Sequence, residues 1–378
     1  MSGETWTFVG IGIAVVFAIV GAVLVLTSRD DGRHARAARP TRATFRSGED
    51  EMPPRKRVAV IVNPLKFDDL DAVRRQLAEV CATHDWDEPL LLETTRTDVG
   101  FGQTREALAQ QVDLVCALGG DGTVRAVAEE LVGSGTPMGL LPGGTGNLLA
   151  RNLELPVDEL KRAMAVALTG RNRRIDAAWL TLDADDPALA LEPGVGDSSS
   201  AGHHRHAFFV MAGMGLDAAI MDSTSEKLKK RIGWAAYVPS GFQHWLKDRF
   251  TVTLTCDGAA PESQRARMLV VGNCGRITGG IDLMPDAEPD DGLLDVIVLT
   301  PRGVAAWASV AARVITRSDR TSRDLSRHKC TAATVVVDEH QRVQVDGDIV
   351  GEASRFSVEI EPRALIVRTE SRKAPAAE

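Results

Sequence analysis

Two glycine-rich turns, close together in the sequence, constrain the fold of this chain more than any other feature. The first turn reads GGDGT over residues 119–123 and the second reads PGGTGN over residues 142–147. The first follows the apolar run Leu114–Leu118 and the second follows Met138–Leu141, and each precedes a stretch with helical character. Strand, turn and helix are therefore predicted twice in succession, which indicates an α/β fold with a mostly parallel sheet.

The composition of these turns predicts a nucleoside triphosphate site. Glycine allows the backbone to approach a ligand closely, and the N–H groups that open a following helix attract anions. Asp121 would repel a bare phosphate, but it suits a phosphate that carries Mg²⁺. The turn residues that we expect to contact the nucleotide are Gly119, Gly120, Gly122, Thr123, Gly143, Gly144 and Thr145. Tight turns that bind no ligand are the alternative interpretation.

Residues 1–28 predict a transmembrane anchor. Trp6–Leu26 contain no charged side chain, and such a helix is about 30 Å long, which matches the hydrocarbon core of a bilayer. Arginines follow this segment and none precedes it, which places the C-terminal side in the cytoplasm. We therefore expect a single-pass protein of the cell membrane whose catalytic part is cytoplasmic. A cleaved signal peptide is the alternative, although Glu4 stands where a positive region belongs.

Residues 29–56 predict a flexible linker between the membrane and the globular part. The segment is rich in Arg, Ala and Pro. Its arginines either set the membrane topology alone or also bind anionic lipid headgroups, and the sequence leaves both interpretations open.

The rest of the chain changes its pattern near residue 171. Residues 57–171 alternate strand-like and helix-like segments, which predicts an α/β nucleotide-binding domain. Residues 172–361 contain many short strand-like segments, which are typical of an antiparallel β-sandwich or barrel. Ligands of open α/β sheets bind at the carboxyl ends of the strands, which is where Asn63, Thr95 and both glycine turns stand.

A polar stretch at residues 183–206 predicts a disordered surface loop within the second domain. The histidines His203, His204 and His206 could bind a metal, but without fixed partners a solvated loop is the better interpretation.

Composition excludes some classes of partner and site. The net charge of −8 argues against a nucleic-acid partner, which would require a basic surface. The five cysteines are odd in number and form no CxxC pair, which favours a reducing compartment without a disulfide framework or a zinc site.

Five sequence elements in a fixed order resemble the diacylglycerol kinase catalytic-domain family, the lipid kinases that include the sphingosine and ceramide kinases. The first three are Asn63-Pro64 after the first strand, the GGDGT turn and the PGGTGN turn. The fourth combines Gly279-Gly280 and Pro285 with the sequence DDGLLD at residues 290–295, and the fifth is VDGD at residues 345–348. The resemblance covers nearly the whole chain outside the N-terminal segment.

The resemblance implies a fold, cofactors and partners. The fold would be a three-layer α/β nucleotide-binding domain like those of NAD kinases and diacylglycerol kinases, completed by a strand at residues 362–372, with a mainly antiparallel β-sandwich beside it. ATP and Mg²⁺ would bind in the cleft between the domains. The acceptor would be the hydroxyl of a membrane lipid, with diacylglycerol, which gives phosphatidic acid, as the first candidate. The expected partners are this lipid and the phospholipid bilayer, with a homodimer left open.

The resemblance also implies roles for single residues. Asn63 and Thr95 would lie beside the nucleotide, and Asp121 would contact the catalytic Mg²⁺. Asp348 would be the general base that takes the proton from the lipid hydroxyl, although the family usually has Glu there. Asp346, on the same face of the predicted strand, is a competing base or metal ligand. A simple Asp-Gly hairpin turn without catalysis is the third interpretation.

Two further roles concern a second cation and a departure from the family pattern. The resemblance implies a structural Mg²⁺ held by Asp291 with the main-chain oxygens of Glu288 and Leu293. After Asn63-Pro64 the family usually has small residues and glycine, whereas this chain has larger ones, among which Lys66 could reach a phosphate.

Two other functions stay open at this point. One is a kinase of a soluble acceptor, as in NAD kinases, although the predicted anchor and the PGGTGN turn count against it. The other is a catalytically silent regulator that binds lipid or nucleotide, which the aspartate at position 348 keeps open.

Overall fold

The computed structural model describes residues 55–144, 146–182, 205–215, 249–277, 281–301, 306 and 325–370. The predicted transmembrane anchor lies outside these residues, as do nearly all of the predicted linker and surface loop. Thr145 and Gly279-Gly280 lie outside them too. None of the helices in the described part combines the length and the apolar character that crossing a bilayer requires.

The N-terminal part of the described chain alternates strands and helices. Its strands are β1 (Val58–Val62), β2 (Leu90–Glu93), β3 (Leu114–Gly119) and β4 (Met138–Pro142). A 3₁₀ turn at Pro64–Lys66 is followed by α1 (Leu70–Thr83), α2 (Phe101–Ala109), α3 (Asp121–Leu131), α4 (Leu148–Asn152) and α5 (Leu160–Thr169). The strands pair in parallel in the order β2-β1-β3-β4, which confirms the predicted α/β fold.

The apolar strands of this sheet explain why helices cover both of its faces. On β1, Ala59 and Ile61 belong to a buried cluster that includes residues of α2 and α3. Val58, Val60 and Val62, which point the other way, belong to a second cluster with residues of α1 and α5. A strand that is apolar on both faces is stable only when both faces are covered. The result is a three-layer arrangement.

The C-terminal part consists mainly of antiparallel strands. They are β5 (Arg171–Leu182), β6 (Arg205–Phe208), β7 (Met211–Met214), β8 (Phe250–Cys256), β9 (Glu262–Ala266), β10 (Met268–Gly272), β11 (Arg276–Ile277), β12 (Ile281–Asp282), β13 (Leu294–Leu299), β14 (Leu325–Cys330), β15 (Ala332–Val345) and β16 (Asp348–Thr369). The predicted surface loop ends earlier than expected, because Arg205 and His206 already pair with β5.

One long strand, β16, joins the two parts into a continuous sheet. It pairs antiparallel with β15 and β5, and in parallel with β4 through Val367 and Met138. Among the described residues the order along this sheet is β14-β13-β10-β7-β15-β16-β4-β3-β1-β2. The strand implied at residues 362–372 is therefore the second half of β16.

Candidate active site

The two glycine turns lie against each other at the carboxyl ends of β3 and β4. These neighbouring strands end in register, with Gly119 opposite Pro142. A Cβ atom on Gly143 would lie only 2.6 Å from the backbone nitrogen of Gly119. No larger residue fits there without displacing the first turn, so the two turns form one backbone surface that is available to a ligand.

Asp121 connects the first turn to the second. Its Oδ1 accepts a hydrogen bond from the backbone nitrogen of Leu148 at 2.6 Å, and its Oδ2 faces Gly146, where a Cβ atom would clash. Burial raises the pKa of Asp121, whereas backbone N–H groups, including that of Leu148, act in the opposite direction. A carboxylate held in this way is the group that a phosphate-bound Mg²⁺ requires, and such an ion needs only one or two protein carboxylates.

The first turn is open on the side that faces Lys66. Gly120 is extended, with φ −84° and ψ −177°, and a Cβ atom there would meet only Cε of Lys66, at 3.9 Å. A phosphate could therefore approach the backbone of Gly120 from this side. The side chain of Lys66 lies at the same opening, and its contact with a phosphate stays a prediction.

Asn63 and Thr95 lie at the same edge of the sheet and also shape their own loops. Asn63 follows β1, and its Oδ1 accepts a hydrogen bond from the backbone nitrogen of Leu65 at 3.1 Å. Thr95 follows β2, and its Oγ1 accepts one from the backbone nitrogen of Asp98 at 3.0 Å. Thr123 is buried under the first turn beside Gly119, so only its backbone is placed for a phosphate.

Asp348 follows a two-residue hairpin turn between β15 and β16. Val345 pairs with Asp348 across this turn, and the two residues between them, Asp346 and Gly347, have φ values of 46° and 96°. Positive φ at both central positions is the signature of the tight hairpins that Asp-Gly favours. The hairpin turn at Asp346-Gly347 and a catalytic role of Asp348 are therefore compatible, since the turn fixes the position of the residue that follows it.

The hairpin brings Asp348 to the beginning of α3, close to Asp121. Its Oδ2 lies 3.0 Å from the position that a Cβ atom on Gly122 would take, and its side chain is half exposed. The negative charge of Asp348 is one of the causes that raise the pKa of Asp121. The two predicted catalytic carboxylates, 227 residues apart in the sequence (348 − 121), thus share one site.

Arg125 is a residue of this site that the sequence analysis missed. Its Nη2 lies 3.2 Å from Oδ2 of Asp348 and its Nη1 lies 3.7 Å from Oε2 of Glu129, while its own side chain is buried. Oε2 of Glu129 in turn accepts a hydrogen bond from the backbone nitrogen of Ala207 at 3.3 Å. The signal in the sequence was spacing, because Arg125 stands four residues after Asp121 on one helix face.

Asp346 has a structural role, so its interpretation as a competing base or metal ligand is wrong. It is buried, and its carboxylate accepts three hydrogen bonds at 2.9 Å from the backbone nitrogens of Phe209, Val210 and Met211. Because Asp346 lies in the turn rather than on the strand, it does not share a face with Asp348. Burial raises its pKa to about 6 against the effect of these three donors.

Replacing Asp346 with alanine should destabilise the protein strongly, since three buried N–H groups would lose their acceptor. We expect the free energy of unfolding to fall by about 3–5 kcal/mol, measured by urea denaturation. Asp338→Ala is the matched control, because Asp338 is an exposed aspartate that accepts one backbone hydrogen bond, from Thr251. Equal losses for the two variants would contradict the structural role of Asp346.

The turn implied to hold a structural Mg²⁺ is arranged differently from that expectation. Oδ1 of Asp291 accepts a hydrogen bond from the backbone nitrogen of Leu293 at 2.9 Å, and its Oδ2 lies 3.7 Å from Nζ of Lys329. Within the described ranges, no three His, Cys, Asp or Glu side chains are grouped so that they could hold a metal ion. The carboxylate of Asp291 thus contacts Leu293 and Lys329, and coordination of a second Mg²⁺ by Asp291 with the main-chain oxygens of Glu288 and Leu293 stays a prediction.

Two family models match the chain. The diacylglycerol kinase catalytic domain matches residues 57–180, and the YegS C-terminal NAD kinase beta sandwich-like domain matches residues 210–369. Together they include Asp121, Asp348 and both glycine turns.

Curated proteins that are similar to the chain carry related names. "Probable lipid kinase YegS-like" of Yersinia enterocolitica is 32% identical, over 51% of this chain and 59% of that protein. A protein of the same name from Pseudomonas aeruginosa (strain UCBPP-PA14) is 35% identical, over 52% of this chain and 58% of that protein. "Diacylglycerol kinase" of Bacillus subtilis is 25% identical, over 78% of this chain and 91% of that protein. The chain thus spans less than two thirds of the length of the YegS-like relatives.

Solved structures show the same fold. A crystal structure of a diacylglycerol kinase from Bacillus anthracis superposes with a TM-score of 0.59, at 20% sequence identity, and covers 85% of this chain and 98% of that one. This likeness concerns the arrangement of strands and helices.

Proposed function

The chain belongs to the diacylglycerol kinase catalytic-domain family, and on that premise we propose that it is a lipid kinase that transfers the γ-phosphoryl group of ATP to the hydroxyl of a membrane lipid. One observation carries the proposal. Two glycine turns lie in backbone contact, and two carboxylates, Asp121 and Asp348, stand together at their edge. Phosphoryl transfer requires held phosphates, a metal that offsets their charge and a base for the attacking hydroxyl.

In this proposal the phosphates of ATP bind to the glycine turns. The N-terminus of α3 follows the first turn directly, and helix N-termini attract anions. Gly143 allows the second turn to complete the same surface, and Lys66 adds a positive charge at the open side. Asp121 would hold a Mg²⁺ ion, which would supply positive charge against that of the phosphates.

Asp348 acts as the general base. Its half-exposed carboxylate can accept the proton of the lipid hydroxyl, whose oxygen then attacks the γ-phosphorus while the bond to the β-phosphate oxygen breaks and ADP leaves. Arg125 fixes one oxygen of this carboxylate, so the other is the candidate proton acceptor. Asp is shorter than the usual Glu by one methylene group, and the hairpin turn carries it close to Gly122.

Diacylglycerol is the acceptor that we propose first, and phosphatidic acid is then the product. The name of the Bacillus subtilis relative supports this choice, since the similarity to it extends over most of both chains. Residues 1–28 would anchor the protein in the cell membrane, with the catalytic part in the cytoplasm, where ATP is available. A tether of this kind would raise the effective concentration of the site at the surface that holds the substrate.

A labelling experiment tests the proposed function. The purified protein is incubated with γ-labelled ATP, Mg²⁺ and a total lipid extract, beside the Asp121→Asn variant, and the lipids are separated. We expect labelled phosphatidic acid with the wild-type protein and none with the variant. Label in a different lipid would still indicate a lipid kinase, but with that lipid as its acceptor.

The same incubation with NAD added as a second acceptor, together with a separate measurement of ATP binding, separates the two other functions. Label transferred to NAD but not to lipid would indicate a kinase of a soluble acceptor. Tight ATP binding without transfer to either would indicate a silent regulator, and both results would contradict a lipid kinase.

A further inference from the structure

Positively charged side chains from neighbouring strands contact the acidic turn at residues 286–295. It contains four aspartates, at positions 286, 290, 291 and 295, and one glutamate, at 288. So many carboxylates in ten residues would repel one another unless cations lay among them. A metal ion is the usual solution in proteins, and it is what the resemblance to the family implied for this turn.

The first internal cation is Arg173 on β5. Its Nε and Nη2 donate to the two carboxylate oxygens of Asp290, at 2.8 and 2.9 Å. This is the two-pronged geometry in which arginine binds a carboxylate most strongly. The arginine lowers the pKa of Asp290, so the carboxylate is ionised and matched by a fixed positive charge.

The second internal cation is Lys329 on β14. Its Nζ lies 3.5 Å from Oδ2 of Asp295 and 3.7 Å from Oδ2 of Asp291, and it donates a hydrogen bond to the main-chain oxygen of Asp286 at 2.9 Å. Two carboxylates and one carbonyl oxygen therefore surround the ammonium group. These are the kinds of oxygen that Mg²⁺ and Ca²⁺ bind in proteins.

Strand register fixes the position of this ammonium group. Asp295 on β13 and Lys329 on β14 are direct partners across the antiparallel ladder, so their Cβ atoms are held about 5 Å apart. Asp295 is largely buried, and burial raises its pKa while the charge of Lys329 acts in the opposite direction. Lys329 is thus the group that compensates a buried carboxylate.

Hydrogen bonds to Asp176 hold the backbone of the turn. Asp176 on β5 is fully buried, and its carboxylate accepts hydrogen bonds from the backbone nitrogens of Gly292 and Arg363, both at 2.7 Å. Its own backbone nitrogen donates to the carbonyl oxygen of Pro289 at 2.7 Å. The loop conformation therefore follows from contacts to β5 and β16.

We propose that the ammonium group of Lys329 takes the place of a structural metal ion at this turn, so that the fold of the C-terminal part does not depend on a divalent cation. Of the implied ligands, Lys329 contacts the carboxylate of Asp291, and it also contacts the carboxylate of Asp295 and the main-chain oxygen of Asp286. This inference is independent of the proposed kinase activity, because it concerns stability.

Thermal unfolding of the full-length protein without nucleotide tests this inference. We expect the same Tm for the wild-type protein in EDTA and in millimolar Mg²⁺ or Ca²⁺. Lys329→Met keeps the aliphatic stem but leaves Asp291 and Asp295 without their cation. We expect this variant to lose about 2–4 °C of Tm in EDTA and to recover most of it with Mg²⁺ or Ca²⁺.

Two further variants control the experiment. Lys161→Met removes a lysine from another ion pair, with Glu79 on the surface of the protein, and should give no metal response. Asp291→Asn, added to Lys329→Met, should abolish the response. A wild-type protein that EDTA destabilises would overturn the proposal, and so would a Lys329→Met protein that keeps its Tm or that metal does not restore.

Discussion

The Asp121→Asn protein should transfer phosphate to lipid about 10³-fold more slowly than the wild-type protein, although it should fold normally. Asparagine has the size of aspartate, and its side-chain oxygen can still accept the hydrogen bond from Leu148 that holds the second turn. The negative charge that would hold Mg²⁺ is lost, however. Initial rates with γ-labelled ATP and lipid in detergent micelles measure the effect.

Another aspartate that accepts a backbone hydrogen bond gives the matched control for this variant. Asp69 accepts a hydrogen bond from the backbone nitrogen of Ala72 at 2.8 Å, at the beginning of α1, and lies outside the glycine turns. Asp69→Asn should leave the rate close to that of the wild-type protein. If Asp121→Asn kept more than about a tenth of the wild-type rate, a loss below that expected for a metal-binding group, Asp121 would not hold the catalytic metal.

The second large effect is expected for Asp348→Asn, with a loss in kcat of about 10³-fold and an almost unchanged KM for ATP. Asparagine can still contact Arg125, but it cannot take a proton from the lipid hydroxyl. Because the side chain is half exposed and stands at the end of a hairpin, we expect the fold to tolerate the change. Steady-state kinetics with varied ATP and varied lipid separate kcat from KM.

Glu352→Gln controls for charge on the same strand, since Glu352 is also paired with an arginine, Arg342, at 3.2 Å. It should not change kcat. Asp348→Glu should retain measurable activity, because glutamate is the residue that the family usually has at this position. A fully active Asp348→Asn protein would contradict the role of Asp348 as the general base.

The sequence was sufficient to predict the α/β part and the places of its two glycine turns. The apolar runs of β1, β3 and β4 are buried on both faces, and glycine turns follow β3 and β4 at the places expected from local patterns. Helix starts were also readable, since Asp69 accepts the hydrogen bond that caps α1. Features of this kind are set by residues that are neighbours in the sequence.

Features that depend on distant contacts were not predictable in the same way. From the sequence alone, Arg125 is indistinguishable from an exposed residue of a helix. Only the fold shows that the hairpin at residues 345–348 lies beside it. Asp346 was interpreted as a strand residue. Its structural role could not be predicted, because its three hydrogen bonds come from residues 209–211, far away in the sequence. Lys329 belongs to a strand that the sequence pattern did not indicate.

The length of β16 has a consequence for how the chain can be made. Strand β4 obtains its second neighbour only when Val367, near the C-terminus, reaches Met138. During synthesis this edge of β4 therefore stays unpaired until residue 367, more than 200 residues later (367 − 138 = 229), has been made. Domains usually fold in the order of their synthesis, but here the last strand closes the sheet of the first part. Pairing over such a distance also slows folding. A prematurely ended chain would contain every residue of both glycine turns and still present an open sheet edge to other chains.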